Sequence, residues 1–205
     1  LPLSIAFRLN VWTWLQTFFV DKGFYYKTHK LNNTMITDKI KFKPGFAQED
    51  AASYNFAEVE VDNVTPERIW RNLCNISVWN RFNSSIVDIQ PLDSADNDPH
   101  LFDKMQFYYD LNCGKRVMAQ VIFFQHPKDD RAGRLAYQGT VMDGDKEINS
   151  ITVEYMIGVP DHKGRFTLQC AKSAKSEIPE SAKKDCACSL ENTLANMVKW
   201  SEKHD

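Results

Sequence analysis

Polar and apolar residues alternate from Tyr54 to Val61, and a period of two predicts a strand there. Thr65-Pro66-Glu67 then reads as a capped helix start, with proline in the first turn, and Ile69, Trp70 and Leu73 form a short apolar face. Asn75 ends that helix, and a second short helical or turn segment carries Trp79 and Phe82 before a strand that ends near Leu92. From there the period is two again. Leu101, Met105, Phe107 and Tyr109 share one strand face, and Val117, Ala119, Val121 and Phe123 share the next after a turn at Asn112–Lys115. Leu135, Tyr137, Gly139 and Val141 follow, then Ile151, Val153, Tyr155 and Ile157, then Phe166, Leu168 and Cys170. Pro179 opens a final helix, in which Cys186, Leu190, Thr193, Leu194, Met197, Val198 and Ser201 fall on one stripe.

This order predicts an α+β fold. A curved antiparallel sheet of about seven strands wraps on a long C-terminal helix, with two short helices after the first strand. The helix stripe is the cover that the apolar sheet face needs.

The first twenty residues are different in kind. They are strongly apolar, carry Trp12, Trp14, Phe18 and Phe19, and are interrupted by Arg8, Asn10 and Gln16. Those polar positions scatter around a helix, so the segment is neither cleanly amphipathic nor a clean spanning stretch. It reads as an extra helical segment that packs on the domain, on partner subunits or on a membrane surface. With the polar connector that follows, it forms an N-terminal part, residues 1–50, ahead of a ligand-binding domain at 51–205.

Composition adds limits. The chain has 205 residues, 43% of them hydrophobic and 25% charged, an ordinary balance with ample core material. A net charge of −2 gives no electrostatic footprint for nucleic acid. The small basic groups, including Lys172 with Lys175, read as solvated surface. Five cysteines without framework spacing read as reduced structural thiols, which favours an intracellular compartment and leaves organellar or membrane-associated locations open. The five histidines have no ligand partners at metal spacing. Neither a phosphate loop nor a Gly-x-Ser-x-Gly elbow occurs, so no metal and no cofactor is expected.

Thr65-Pro66-Glu67-Arg68-Ile69-Trp70 followed by Trp79-Asn80-Arg81-Phe82 resembles a recurring pattern of the START-like, helix-grip superfamily (SRPBCC). That group includes polyketide cyclases and dehydrases and lipid-transport domains. The turn at His126-Pro127 before Arg134-Leu135 is similar to the same branch, with His in place of an acidic residue. The resemblance covers about residues 53 to 203, while Gly139-Thr140 sits one strand earlier than the family's glycine-threonine.

Together with the inward faces, the resemblance implies an internal cavity that binds a hydrophobic small molecule: a lipid, isoprenoid, quinone or polyketide. Its walls would come from Met105, Phe107, Tyr109 and Tyr137, then Val153, Tyr155, Phe166 and Leu168, with Leu190, Leu194 and Met197 from the helix. Trp79 and Phe82 would shape its mouth. Alternation also points Asp103, Tyr109 and Tyr137 inward, which makes them candidate acid–base residues for an aromatase/cyclase-type reaction. A third reading is an accessory subunit of a larger complex, docked through residues 1–20, with a vestigial pocket.

Overall fold

The computed structural model describes Ile40, residues 46–177 and residues 189–204. Thr37–Asp205 is one compact unit. The expectations for residues 1–20, and for a helix start at Pro179, lie outside the described residues.

Seven strands form one antiparallel sheet: β1 (Ser53–Val61), β2 (Ile86–Pro91), β3 (Gln106–Leu111), β4 (Arg116–Gln125), β5 (Gly133–Asp143), β6 (Lys146–Ile157) and β7 (Phe166–Ala174). Their spatial order is β1-β7-β6-β5-β4-β3-β2, so the first strand closes the meander beside the last. Between β1 and β2 lie α1 (Pro66–Cys74), a short 3-10 turn and α2 (Trp79–Phe82), and α3 (Leu190–Lys203) ends the chain. This is the helix-grip α+β architecture expected above.

Local chemistry sets the helix ends. The Thr65 hydroxyl accepts from the Arg68 amide at 3.3 Å, and Pro66 opens α1, where its missing N–H costs nothing. Ser189 caps α3 by accepting from the Asn192 amide at 3.1 Å. Glu191 in the first turn and Lys203 in the last complement the helix dipole. Thr193, Leu194, Met197 and Ser201 are buried, so the sequence stripe is the face that α3 lays on the sheet.

One half of the interior is solid. Trp79, Phe82, Phe107, Phe166, Leu168, Leu194 and Met197 are all at most 2% exposed. The Trp79 indole donates to the Leu73 carbonyl at 2.9 Å, and its rings lie 5.7 Å from both Phe107 and Tyr137. A buried indole placed this way fills the junction of α1, α2 and the sheet with its polar atom satisfied.

The outer sheet face is also partly covered. Ile40, Ala132, Met156 and Ala171 form a second buried cluster, joined by Tyr54. Beside it the Arg134 guanidinium grips the buried Glu154 carboxylate through Nε and Nη2. Desolvation nevertheless holds the Glu154 pKa above its ordinary value.

Three expectations need correction. The strand expected from Leu101 starts at Gln106, because Phe102–Met105 turn sharply with Lys104 at a positive φ of 66°. Leu101 and Met105 are buried all the same. Phe123 does not face inward. A register shift between Val121 and Phe123 exposes Phe123 beneath Arg134 and turns Phe124 toward Trp70. A bulge of one residue is what flips the face of every later side chain on a strand. Finally, Cys113 is disulfide-bonded while Cys74 and Cys170 are free and buried, so the thiols are not uniformly reduced. A chain with a disulfide at Cys113 gives no preference for an intracellular compartment.

Candidate functional site

The interior opens at one end of the sheet. A cavity of about 540 Å³ lies between the sheet and the first turn of α3. Ser189, Leu190, Glu191 and Thr193 line it from the helix side, and Asn83, Ser85 and Ile86 from the segment entering β2.

Strand register explains its inner wall. Asn55, Lys172, Val153 and Tyr137 lie side by side on β1, β7, β6 and β5, because each pairs directly with the next. The adjacent inward rung is Ala57, Cys170, Tyr155 and Leu135. Tyr109 adds a ring from β3, 6.3 Å from that of Tyr137. The lining is therefore mixed: aliphatic and aromatic side chains are joined by hydroxyls, the amides of Asn55 and Asn83, the Lys172 ammonium and the Glu191 carboxylate.

The hydroxyls are ordered. The Tyr137 and Tyr109 phenols interact with each other on the cavity wall, as Tyr155 does with the Cys170 thiol. Burial pushes the Tyr109 pKa up to about 12 and drives that of Tyr137 well above the ordinary phenol range. Burial likewise takes Cys170 up to about 12. These groups stay protonated near neutral pH, so they orient a ligand by hydrogen bonding and do not supply a base.

The expected site residues divide between the two halves. Tyr109, Tyr137, Val153, Tyr155 and Leu190 line the cavity. Trp79, Phe82, Met105, Phe107, Phe166, Leu168, Leu194 and Met197 are buried in the core and are not on the cavity lining. Asp103 is exposed in the turn before β3 and does not reach the two tyrosines. Among the described residues, no group of three His, Cys, Asp or Glu side chains is placed to hold a metal ion.

Lys172 was not expected here. It reads as surface when taken with Lys175, yet it has the same parity as Phe166, Leu168 and Cys170 on β7, and that parity places it inside. Asn55 is on the inner face of β1 by the same rule.

No family model matches the chain, and no curated protein matches it in sequence. Solved structures do match. A hypothetical protein from Helicobacter pylori is 18% identical, with a TM-score of 0.67 over 82% of this chain and 99% of that one. A START superfamily protein from Mycobacterium smegmatis is 15% identical, with a TM-score of 0.50 over 73% of this chain and 97% of that one. The di-domain ARO/CYC from the steffimycin biosynthetic pathway is 11% identical, with a TM-score of 0.50 over 75% of this chain and 45% of that larger protein.

Proposed function

The chain has the helix-grip fold of the START-like superfamily, and from that premise we propose that it binds, and serves as a carrier for, a hydrophobic small molecule held under the first turn of α3. The observation that carries this reading is the cavity itself. Within one continuous fold, the core is close-packed around Trp79 and Phe107 and opens into a pocket on the far side of Tyr109, Tyr137 and Val153. Interiors pack closely by default, so a space of about 540 Å³ with tyrosines and aliphatic side chains on its sheet wall and polar groups toward its edge has the size and character of a ligand site. Phenol groups set among Val117, Val141, Ile151 and Val153 suit a ligand with a large apolar body and few polar atoms.

An aromatase/cyclase-type activity is the second reading, favoured by the Tyr137–Tyr109 hydrogen bond inside the cavity. It loses its general base, because Asp103 lies outside and both phenols resist ionisation. Pocket chemistry therefore supports binding more strongly than turnover.

The test is titration of delipidated protein with Nile red, an uncharged apolar dye. Saturable binding with a blue-shifted emission is expected, together with loss of that signal on Val153→Trp, which fills the cavity. Absence of saturable binding in the delipidated protein would overturn the proposal.

A further inference from the structure

We propose that the cavity selects amphipathic monoanions, a long-chain carboxylate being the simplest case, by pairing the ligand head group with Lys172. This rests on the binding function proposed above and names the ligand class for the same site. Lys172 lines the cavity on the inner face of β7, between Asn55 and Val153 in the sheet. Its ammonium forms no ion pair or hydrogen bond with any described residue. Every other described cation with an ordered partner pairs at the surface or on the outer face, as Arg116 does with Asp110 and Arg165 with Asp161.

Lys172 is half-buried beside the exposed Asn55, and an ammonium withdrawn this far from water without a counter-charge loses part of its solvation, which a ligand can restore. Desolvation by burial lowers the Lys172 pKa, which is the expected sign of a cation short of partners. The other ionisable groups on the lining are Glu191, Tyr109, Tyr137 and Tyr155. Glu191 is exposed on α3 and does not pair with Lys172. The tyrosines stay neutral. On the inner wall Lys172 is therefore a positive charge with no direct partner among the described residues, while the Glu191 carboxylate stands at the solvent-exposed edge. One such charge on a wall of Val153, Ile151 and Tyr137 matches an apolar chain that ends in a single negative charge. A carboxylate there would accept from the ammonium and from the Asn55 side chain beside it. Its chain would occupy the space against Val117, Val141 and Ile151.

The experiment compares dodecanoate with dodecanol, which share a chain and differ in head charge, as competitors for bound Nile red on the full 205-residue protein. Dodecanoate should compete about tenfold or more better than dodecanol. Lys172→Met should abolish that preference, read as the ratio of the two competitors on the same variant, and Lys172→Arg should keep it. Equal competition by acid and alcohol on the wild-type protein would overturn this inference and leave the hydrophobic-binding function standing. So would an undiminished preference in Lys172→Met. Failure of the wild-type protein to bind Nile red would overturn both. Acetate, which carries the head group without the chain, should not displace the dye; displacement by acetate as effective as by dodecanoate would overturn the amphipathic requirement. The wild-type comparison needs no variant, so a poorly folding Lys172→Met does not block the test.

Discussion

The Asn72 side-chain amide of α1 donates to the Ser201 hydroxyl of α3 at 2.9 Å, and both residues are buried. This contact fixes the C-terminal half of the covering helix over the packed half of the core, at the end remote from the cavity. Ser201→Ala leaves a buried amide without this acceptor. It should cost about 1–3 kcal/mol in urea unfolding, with Nile red affinity unchanged. An unaltered midpoint would mean that the amide finds another partner and that the bond adds nothing to helix placement.

Leu190 and Leu194 sit one turn apart on α3 but face different surroundings. Leu190 borders the cavity, whereas Leu194 is fully buried among packed side chains. Leu194→Trp should overpack the core and cost about 1–3 kcal/mol. Leu190→Trp should place its ring in empty space, keep the thermal midpoint nearly unchanged and reduce dye binding. Equal destabilisation by both would argue that the space is closed in solution.

The difference between those two leucines marks how far the sequence could be read. Period-two alternation identified the inward faces of β3 to β7, and Thr65-Pro66 identified the start of α1, because both patterns report local backbone geometry. Which inward residues border empty space depends on where α3 stops pressing on the sheet, and no local pattern encodes that. Alternation misplaces Phe123 for a related reason, since a one-residue bulge leaves no mark in the pattern until partner strands are aligned. Lys172 was legible by parity. Its chemistry obscured it, because a lysine near a strand end normally belongs to the surface.

Gly139 lies on β5 where a Cβ would stand 2.7 Å from Cγ1 of Val117 and 3.5 Å from Cγ1 of Ile151. Both neighbours border the cavity. Gly139→Ala should therefore cost about 1–3 kcal/mol, or push Val117 into the ligand space and weaken dye binding. Thermal unfolding and dye titration of the same variant separate the two routes. A variant with neither effect would show that the sheet yields at this point without strain.

Asp161 anchors the β6–β7 connection. Its carboxylate accepts from the Arg165 and Lys163 amides at 2.9 and 2.8 Å and from the Arg165 guanidinium at 2.8 Å. These bonds, the Arg165 amide first, lower its pKa from 3.8 to about 2. The folded state thus binds fewer protons than the unfolded state in that interval. The contribution is complete above pH 3.8 and is lost as pH falls toward about 2. Urea midpoints measured down that range should decline less steeply in Asp161→Asn than in the wild-type protein. Parallel curves would assign the acid sensitivity to other carboxylates.

Ile40 and Phe46 precede β1 yet belong physically to the domain. Ile40 packs with Ala132, Met156 and Ala171 on the outer sheet face, and the Lys175 ammonium lies 5.1 Å over the Phe46 ring. Both residues fall within the compact unit that begins at Thr37. Deleting residues 1–36 should therefore leave the unfolding midpoint of the remaining chain close to that of the full protein. Deleting residues 1–50 removes both side chains and uncovers Met156 and Ala171. At about 1.5–3 kcal/mol for each fully buried large apolar side chain, that deletion should cost at least about 2 kcal/mol. The larger deletion should also add outer-face apolar surface that binds Nile red non-saturably, unlike the cavity. If the two truncations unfold at the same denaturant concentration, the outer-face cluster contributes no net stability and the folding unit begins at β1.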